Sequence, residues 1–298
     1  MRSNLLAMVL VLTMTTVCAA RDWYVDNVAG DDRKNGSQPN STSQIDGPVQ
    51  TIAKALRHAS RIDGIILANT GEPYRESISL VGRHSGIEKA PFTIIGNGAI
   101  LDGQLPVPDD VWEFYQGEIF KFQPPRLSAA QQLFVNGKPL VKGPGPTADG
   151  RLPPLKEMEW RYLDEHIQFR PEANRLPQAY AMTFAAQPVG ITLYQVINVQ
   201  IEDLIVQGFQ LDGINAHDSA FNTRLVGITA RGNGRSGISI GGASRVTLEA
   251  CLVGDNGIAQ VRTEGWSHTT MINCNLLTKS APALEKTEHS KVEEIIEE

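Results

Sequence analysis

Asn215, His217, Asp218, Arg262 and Glu264 are the residues whose types, taken together, suit acid–base chemistry. An imidazole titrates near neutrality, a carboxylate can give or take a proton, and a guanidinium can hold an anion. The set is split into two groups lying 46 or 47 residues apart. Sequence distance of that size excludes a shared helix or hairpin. The groups meet only if the fold returns the chain to the same place at a fixed period.

Such a period is present. NVQIEDLIVQG from Asn198, NTRLVGITARG from Asn222, RVTLEACLVGD from Arg245 and HTTMINCNLLT from His268 align without gaps, at steps of 24, 23 and 23 residues. Ile201, Leu225, Leu248 and Met271 share one apolar column. Leu204, Ile228, Cys251 and Cys274 share a second, and Val206, Ala230, Val253 and Leu276 a third. Between the first two columns stand Asp203, Gly227, Ala250 and Asn273. Gly, Asn and Asp tolerate left-handed backbone, so this position predicts a sharp bend between two short strands, with Ala250 the odd member. Apolar runs of three to five residues leave no room for a helix in each unit. Stacked units of this length therefore predict a parallel β-helix, three short strands per coil, with coils about 4.8 Å apart.

Other segments frame the stack. Leu5–Val17 is an apolar run behind Arg2, with Val17-Cys18-Ala19-Ala20 as small residues before a cut, so residues 1–20 are expected to be a secretory signal peptide. The mature chain is then expected outside the cytoplasm, secreted or periplasmic, as a monomer without membrane insertion. Residues 21–104 hold WYVDN, the amphipathic GPVQTIAKALRHAS with Ile52, Leu56 and Ala59 on one face, and the strands of the first coils. Residues 105–186 are dense in Pro and carry EIFKFQ, QQLFVNGKPLV and HIQFRPE, which predict a small antiparallel β subdomain with a hairpin at Asn136-Gly137. The coils run on over 187–280, and residues 281–298 are expected to be a charged tail, helical or frayed. Cys251 and Cys274 share a column one coil apart; side chains pointing the same way suit two buried thiols better than a bridge. The chain of 298 residues has a net charge of −6, which argues against nucleic acid as partner. Asp26, Asp31, Asp32 and Asn35 lack the spacing of a calcium loop, so no metal or other cofactor is expected. Asp102 and Asp212, both in LDG, are read as turn residues.

WYVDNVAGDD, GPVQTIAKAL followed by DGIILANTGEPYRES, and GAILDG resemble the secreted right-handed parallel β-helix proteins of the pectate-lyase-like superfamily. QLFVNGKPL followed by WRYLDEHIQFRPE resembles the inserted β subdomain of some β-helical glycoside hydrolases. The resemblance implies an all-β fold, a capping helix and extracellular polysaccharide as partner. It does not fix an activity, because the NTD, DD, HG and RIK sets of β-helical polygalacturonases are missing.

On such a fold the reactive face is the outer side of one strand per coil, here DGINAHD, SGISIGG and IAQVRTE. Alternation turns Ile214 and Ala216 inward. It turns Asn215, His217, Ser239, Gly241, Gln260, Arg262 and Glu264 outward. His217 or Asp218 then lies about two coils (~9.6 Å) from Glu264, near the ~6.5–9.5 Å carboxyl spacing of inverting glycosidases. His217, Asp218 and Glu264 are the catalytic candidates of this reading, with Asn215 and Arg262 as substrate contacts. Elimination is the other route, with Arg262 neutralising a uronate and His217 as base. The rival reading is a non-catalytic carbohydrate-binding or cell-surface structural module whose strand face carries ordinary solvated polar groups.

Overall fold

The computed structural model describes residues 20–296; the expected signal peptide lies outside them except for Ala20. Short strands wind around one apolar interior and pair with the coil above and below in parallel register. One wall contains Asp22–Val25, Gly64–Leu67, Phe92–Asp102, Ile197–Gln207, Phe221–Val226, Arg245–Glu249, His268–Ile272 and Lys291–Ile295, in that spatial order. A second wall, the front sheet, orders Ile78–Val81, Ile191–Tyr194, Asp212–His217, Ser236–Ile240, Ala259–Thr263 and Leu284–Lys286. Thr229–Arg231, Leu252–Gly254 and Asn275–Leu276 form the third side, continuing from the far half of Ile197–Gln207. The architecture is all-β, a parallel β-helix.

The columns read from the sequence are the core. Ile201 pairs with Leu225, Leu225 with Leu248 and Leu248 with Met271, and all four are buried. The same column extends back through Ile94 and Ile65 to Trp23. Each buried large apolar side chain contributes about 1.5–3 kcal/mol, which strands of four or five residues need if they are to persist. Asp203, Gly227, Ala250 and Asn273 all have left-handed backbone, with φ of 47°, 61°, 50° and 50°. They are the corner between the first and third sides. The helix Ile52–His58, capped by the Thr51 hydroxyl on the Lys54 N–H, buries Ile52, Ala55 and Leu56 against the first coils.

The chain leaves the stack after Asp102 and returns at Ile191. In between, two largely antiparallel sheets enclose a second core around Trp160, Phe122, Phe169, Leu133 and Phe184. Asn136 and Gly137 turn the expected hairpin with φ of 51° and 71°. This insertion rests on the coil turns where only glycine fits. A Cβ on Gly234 would stand 1.9 Å from the Ala130 carbonyl oxygen, and one on Gly232 would stand 3.2 Å from the Phe134 ring.

Two expectations need correction. The segment expected as a charged tail forms two further strands, Leu284–Lys286 and Lys291–Ile295, that add a coil to the stack. Leu284 and Val292 alternate with charged neighbours at the strand period and pack on the core, which outweighs helix-forming composition. In that coil Glu294 pairs with Met271, so the apolar column is followed by a carboxylate. The second correction concerns Gln260, which does not face outward. A local irregularity turns it in, fully buried, where its amide donates to the Ala281 carbonyl and accepts from Asn256.

Cys251 and Cys274 are both free thiols, the first buried and the second half-buried. Each S–H donates to a carbonyl of the preceding coil, on Leu225 and Leu248. The neighbouring Cys274 thiol and burial push the Cys251 thiol up. Native protein should therefore react with iodoacetamide at Cys274 and spare Cys251, and both should react after unfolding without reductant; a single reactive thiol in the unfolded chain would reveal a bridge. Ala250 offers a stability test. A left-handed Ala costs about 1–2 kcal/mol, and Asn adopts that conformation more readily. Ala250→Asn should therefore raise the melting temperature by about 2–4 °C, read by thermal unfolding.

Candidate functional site

Two outward columns run down the front sheet. The first passes through Ser79, Thr192, Asn215, Ser239, Arg262 and Glu285, each in register with the next. The second begins Val81, Tyr194, His217. Its next two members are Gly241 and Glu264, the residues that follow Ile240 and Thr263 in their strands. Pairing at a fixed register thus brings together groups that are far apart in sequence.

Gly241 stands between His217 and Glu264. A Cβ on Gly241 would lie 3.7 Å from His217 Nδ1 and 3.5 Å from Glu264 Oε1. The imidazole and the carboxylate therefore stand on either side of a position that carries no side chain. His217 is exposed and stacks on the Tyr194 ring, centroid to centroid 6.3 Å with planes 28° apart. The stack limits ring rotation.

Glu264 is ion-paired to Arg262 at 3.1 Å, and Arg262 reaches Glu285 at the same distance. One cation thus spans two carboxylates. Asn215 is half-buried and donates its amide to Asp212 Oδ2 at 3.2 Å. Asp218 lies one residue beyond His217, in a left-handed turn with φ of 51°. It stacks above Gly242, whose Cβ would stand 3.2 Å from Asp218 Oδ1. The structure thus places His217 and Glu264 together, joins Arg262 to Glu264, and sets Asp218 at the rim. Asn215 is mainly a tether. Ser239 faces outward as expected, but its neighbours cover it.

Several residues of this face escape the sequence reading. Asp212 is fully buried, and its carboxylate accepts from Arg235 Nε at 3.0 Å and Nη2 at 2.5 Å, and from the Ser236 hydroxyl at 2.6 Å. Hydrogen bonding to Asp212 raises the Arg235 guanidinium above its ordinary value. Asp212 is therefore the anchor of the face rather than a simple turn residue. The sequence signal was Arg235-Ser236 standing one coil after it. Trp266 is 68% exposed beyond Glu264 and stacks flat on His289, 4.5 Å between centroids and 3° between planes. Two stacked rings at the rim offer a platform for an apolar sugar face. Among the described residues no group of three or more His, Cys, Asp or Glu could hold a metal ion. Asp32 and Asp26 are occupied elsewhere, accepting from the Thr51 and Gln50 N–H groups and from those of Val28 and Ala29.

A family described as right handed beta helix region matches residues 177–293. The stack is a right-handed parallel β-helix. A solved structure described as a glycoside hydrolase superposes with a TM-score of 0.61 at 12% identity, covering 86% of this chain and 73% of that one. A complex of XylC with xylose gives a TM-score of 0.43 at 11% identity, covering 92% of this chain and 69% of that one. Pectate lyase Pel9A gives 0.32 at 13% identity, covering 92% and 79%. No curated protein matches the chain. At 12% identity the likeness to the glycoside hydrolase structure establishes the fold alone, and the parallel β-helix read from the sequence is the fold found. No described helix is long and apolar enough to cross a membrane.

The Asp212–Arg235 pair gives this face a measurable stability. Asp212→Ala leaves a half-buried guanidinium and the Ser236 hydroxyl without their acceptor, a loss of about 3 kcal/mol. Denaturant unfolding of the variant against wild type should show it. A change under 1 kcal/mol, set against that ~3 kcal/mol, would mean that the pair does not hold the face together.

Proposed function

We propose that the chain is an exported β-helix protein that acts on extracellular polysaccharide across its front sheet. The observation that carries this reading is the pair His217 and Glu264, held on either side of Gly241. A glycosidic oxygen entering that gap meets an imidazole able to give a proton and a carboxylate able to accept one from water or from a sugar carbon. Trp266 on His289 supplies a stacking platform at one rim, and Tyr194 stiffens the imidazole from the other side. Asp218 stands at the same rim as the second carboxylate that hydrolysis with inversion requires. Arg262 is available to a substrate carboxylate or hydroxyl in exchange for Glu285.

A second reading, binding without turnover, is favoured by the ion pair of Glu264 with Arg262, which occupies one oxygen of the carboxylate the chemistry would use. One set of measurements separates the two. Neutral and acidic polysaccharides should be incubated with the intact protein and followed for new reducing ends and for unsaturated products, alongside His217→Ala, Glu264→Gln and Trp266→Ala. Loss of general acid–base catalysis costs about 100-fold or more, so the first two variants should lose nearly all turnover. Trp266→Ala should weaken binding above all. Turnover that survives both His217→Ala and Glu264→Gln would move the chemistry off this face. Glycan binding with no product would leave the second reading standing.

A further inference from the structure

The insertion and the coils enclose a cleft of about 840 Å³ that is separate from the front sheet. Its walls bring together Lys138 and Lys142 from the insertion, Arg231 and Lys279 from the third side of the stack, and Asp255 from a coil turn. Four cations against one carboxylate reverse the balance of a chain whose net charge is −6. Among the described residues none of the four is ion-paired. Unpaired like charges repel one another, and that cost is removed when an anion enters.

The cleft is built rather than incidental. Arg231 Nε donates to Gln207 Oε1 at 2.9 Å, and Gln207 Nε2 in turn donates to the buried Asp102 carboxylate at 3.0 Å. That chain of bonds fixes the guanidinium and leaves its terminal N–H groups unspent. Lys142 extends over the Trp160 ring at 5.5 Å. The two walls are locked by the close glycine contacts at Gly232 and Gly234, so the cleft keeps its width.

Spacing narrows the ligand. Arg231 belongs to the strand Thr229–Arg231, and Lys279 follows the strand Asn275–Leu276 two coils on. Two coils are about 10 Å along the stack, so the cations are spread along a line rather than gathered around a point. A compact anion such as inorganic phosphate would meet one of them at a time. An extended chain with repeated negative charge meets several, and Gln207 and Ser280 on the same walls can pair with hydroxyls. We propose that this cleft is a second carbohydrate site, which takes an acidic oligosaccharide whose carboxylates or sulfates engage Lys142, Arg231 and Lys279 in turn. It is independent of any chemistry at His217 and Glu264.

Calorimetric titration of the full chain with oligogalacturonate, a sulfated galactan oligosaccharide and a neutral xylo-oligosaccharide tests it. At least one anionic probe should bind, with affinity that falls as salt rises, and the neutral probe should not. Whichever anionic probe binds more tightly identifies the charge carrier. Lys142→Gln with Arg231→Gln should weaken binding about tenfold or more. Lys142→Arg should retain it, and so should His217→Ala on the front sheet. Both lysine and arginine side chains are solvent-exposed, and thermal unfolding of each variant checks that the fold persists. Three results would overturn the proposal: no binding of either anionic probe, equal binding by the double variant, or equal affinity for a single-stranded oligonucleotide of the same charge.

Discussion

The structure depends on turning a corner within a single residue, at the same place in four successive coils. Left-handed backbone at Asp203, Gly227, Ala250 and Asn273 does this. Because the corner has fixed length, the strands before and after it stay in register with those of the neighbouring coil, and the apolar columns superpose. One inserted residue in any corner would rotate the following strand, and its inward and outward sets would exchange. Core and reactive face are therefore two results of one constraint.

The front sheet shows how far that constraint reaches. Its inward positions are held by backbone pairing, so the outward positions are free to vary without loss of core. Gly241 is the clearest case. It stands just past the end of Ser236–Ile240, where the lack of a side chain leaves a gap between His217 and Glu264. At the opposite end of the same strands the buried Asp212 and its Arg235 partner tie two neighbouring coils together. A polar surface is thus supported by a polar anchor that is itself out of water.

The repeated columns were legible in the sequence because they obey a period, and periodicity survives without knowledge of long-range contacts. The bend column was legible for the same reason, and even Ala250, the residue that breaks its chemistry, keeps its conformation. The alternation that set His217 and Glu264 outward followed from strand geometry alone. What escaped was local. Gln260 turns in because Asn256 and the Ala281 carbonyl offer it partners, and partners from other coils leave no mark at residue 260. The Asp212–Arg235 pair and the Trp266–His289 stack are likewise made between coils. The strands after residue 280 were hidden by their charge. Only every second residue there has to be apolar, and the acidic residues between dominate the composition.

Glu294 has a bearing on assembly. It continues the column of Met271, Leu248 and Leu225, the position where another layer would have to place a hydrocarbon. A further copy docking end-on, edge strand to edge strand, would bury that carboxylate in a dry seam with no cation opposite it. The hydration lost there costs several kcal/mol, more than a few additional backbone bonds return. Whatever is placed against this edge strand must therefore leave Glu294 in water or bring a cation to it, a demand that no other coil of the column makes.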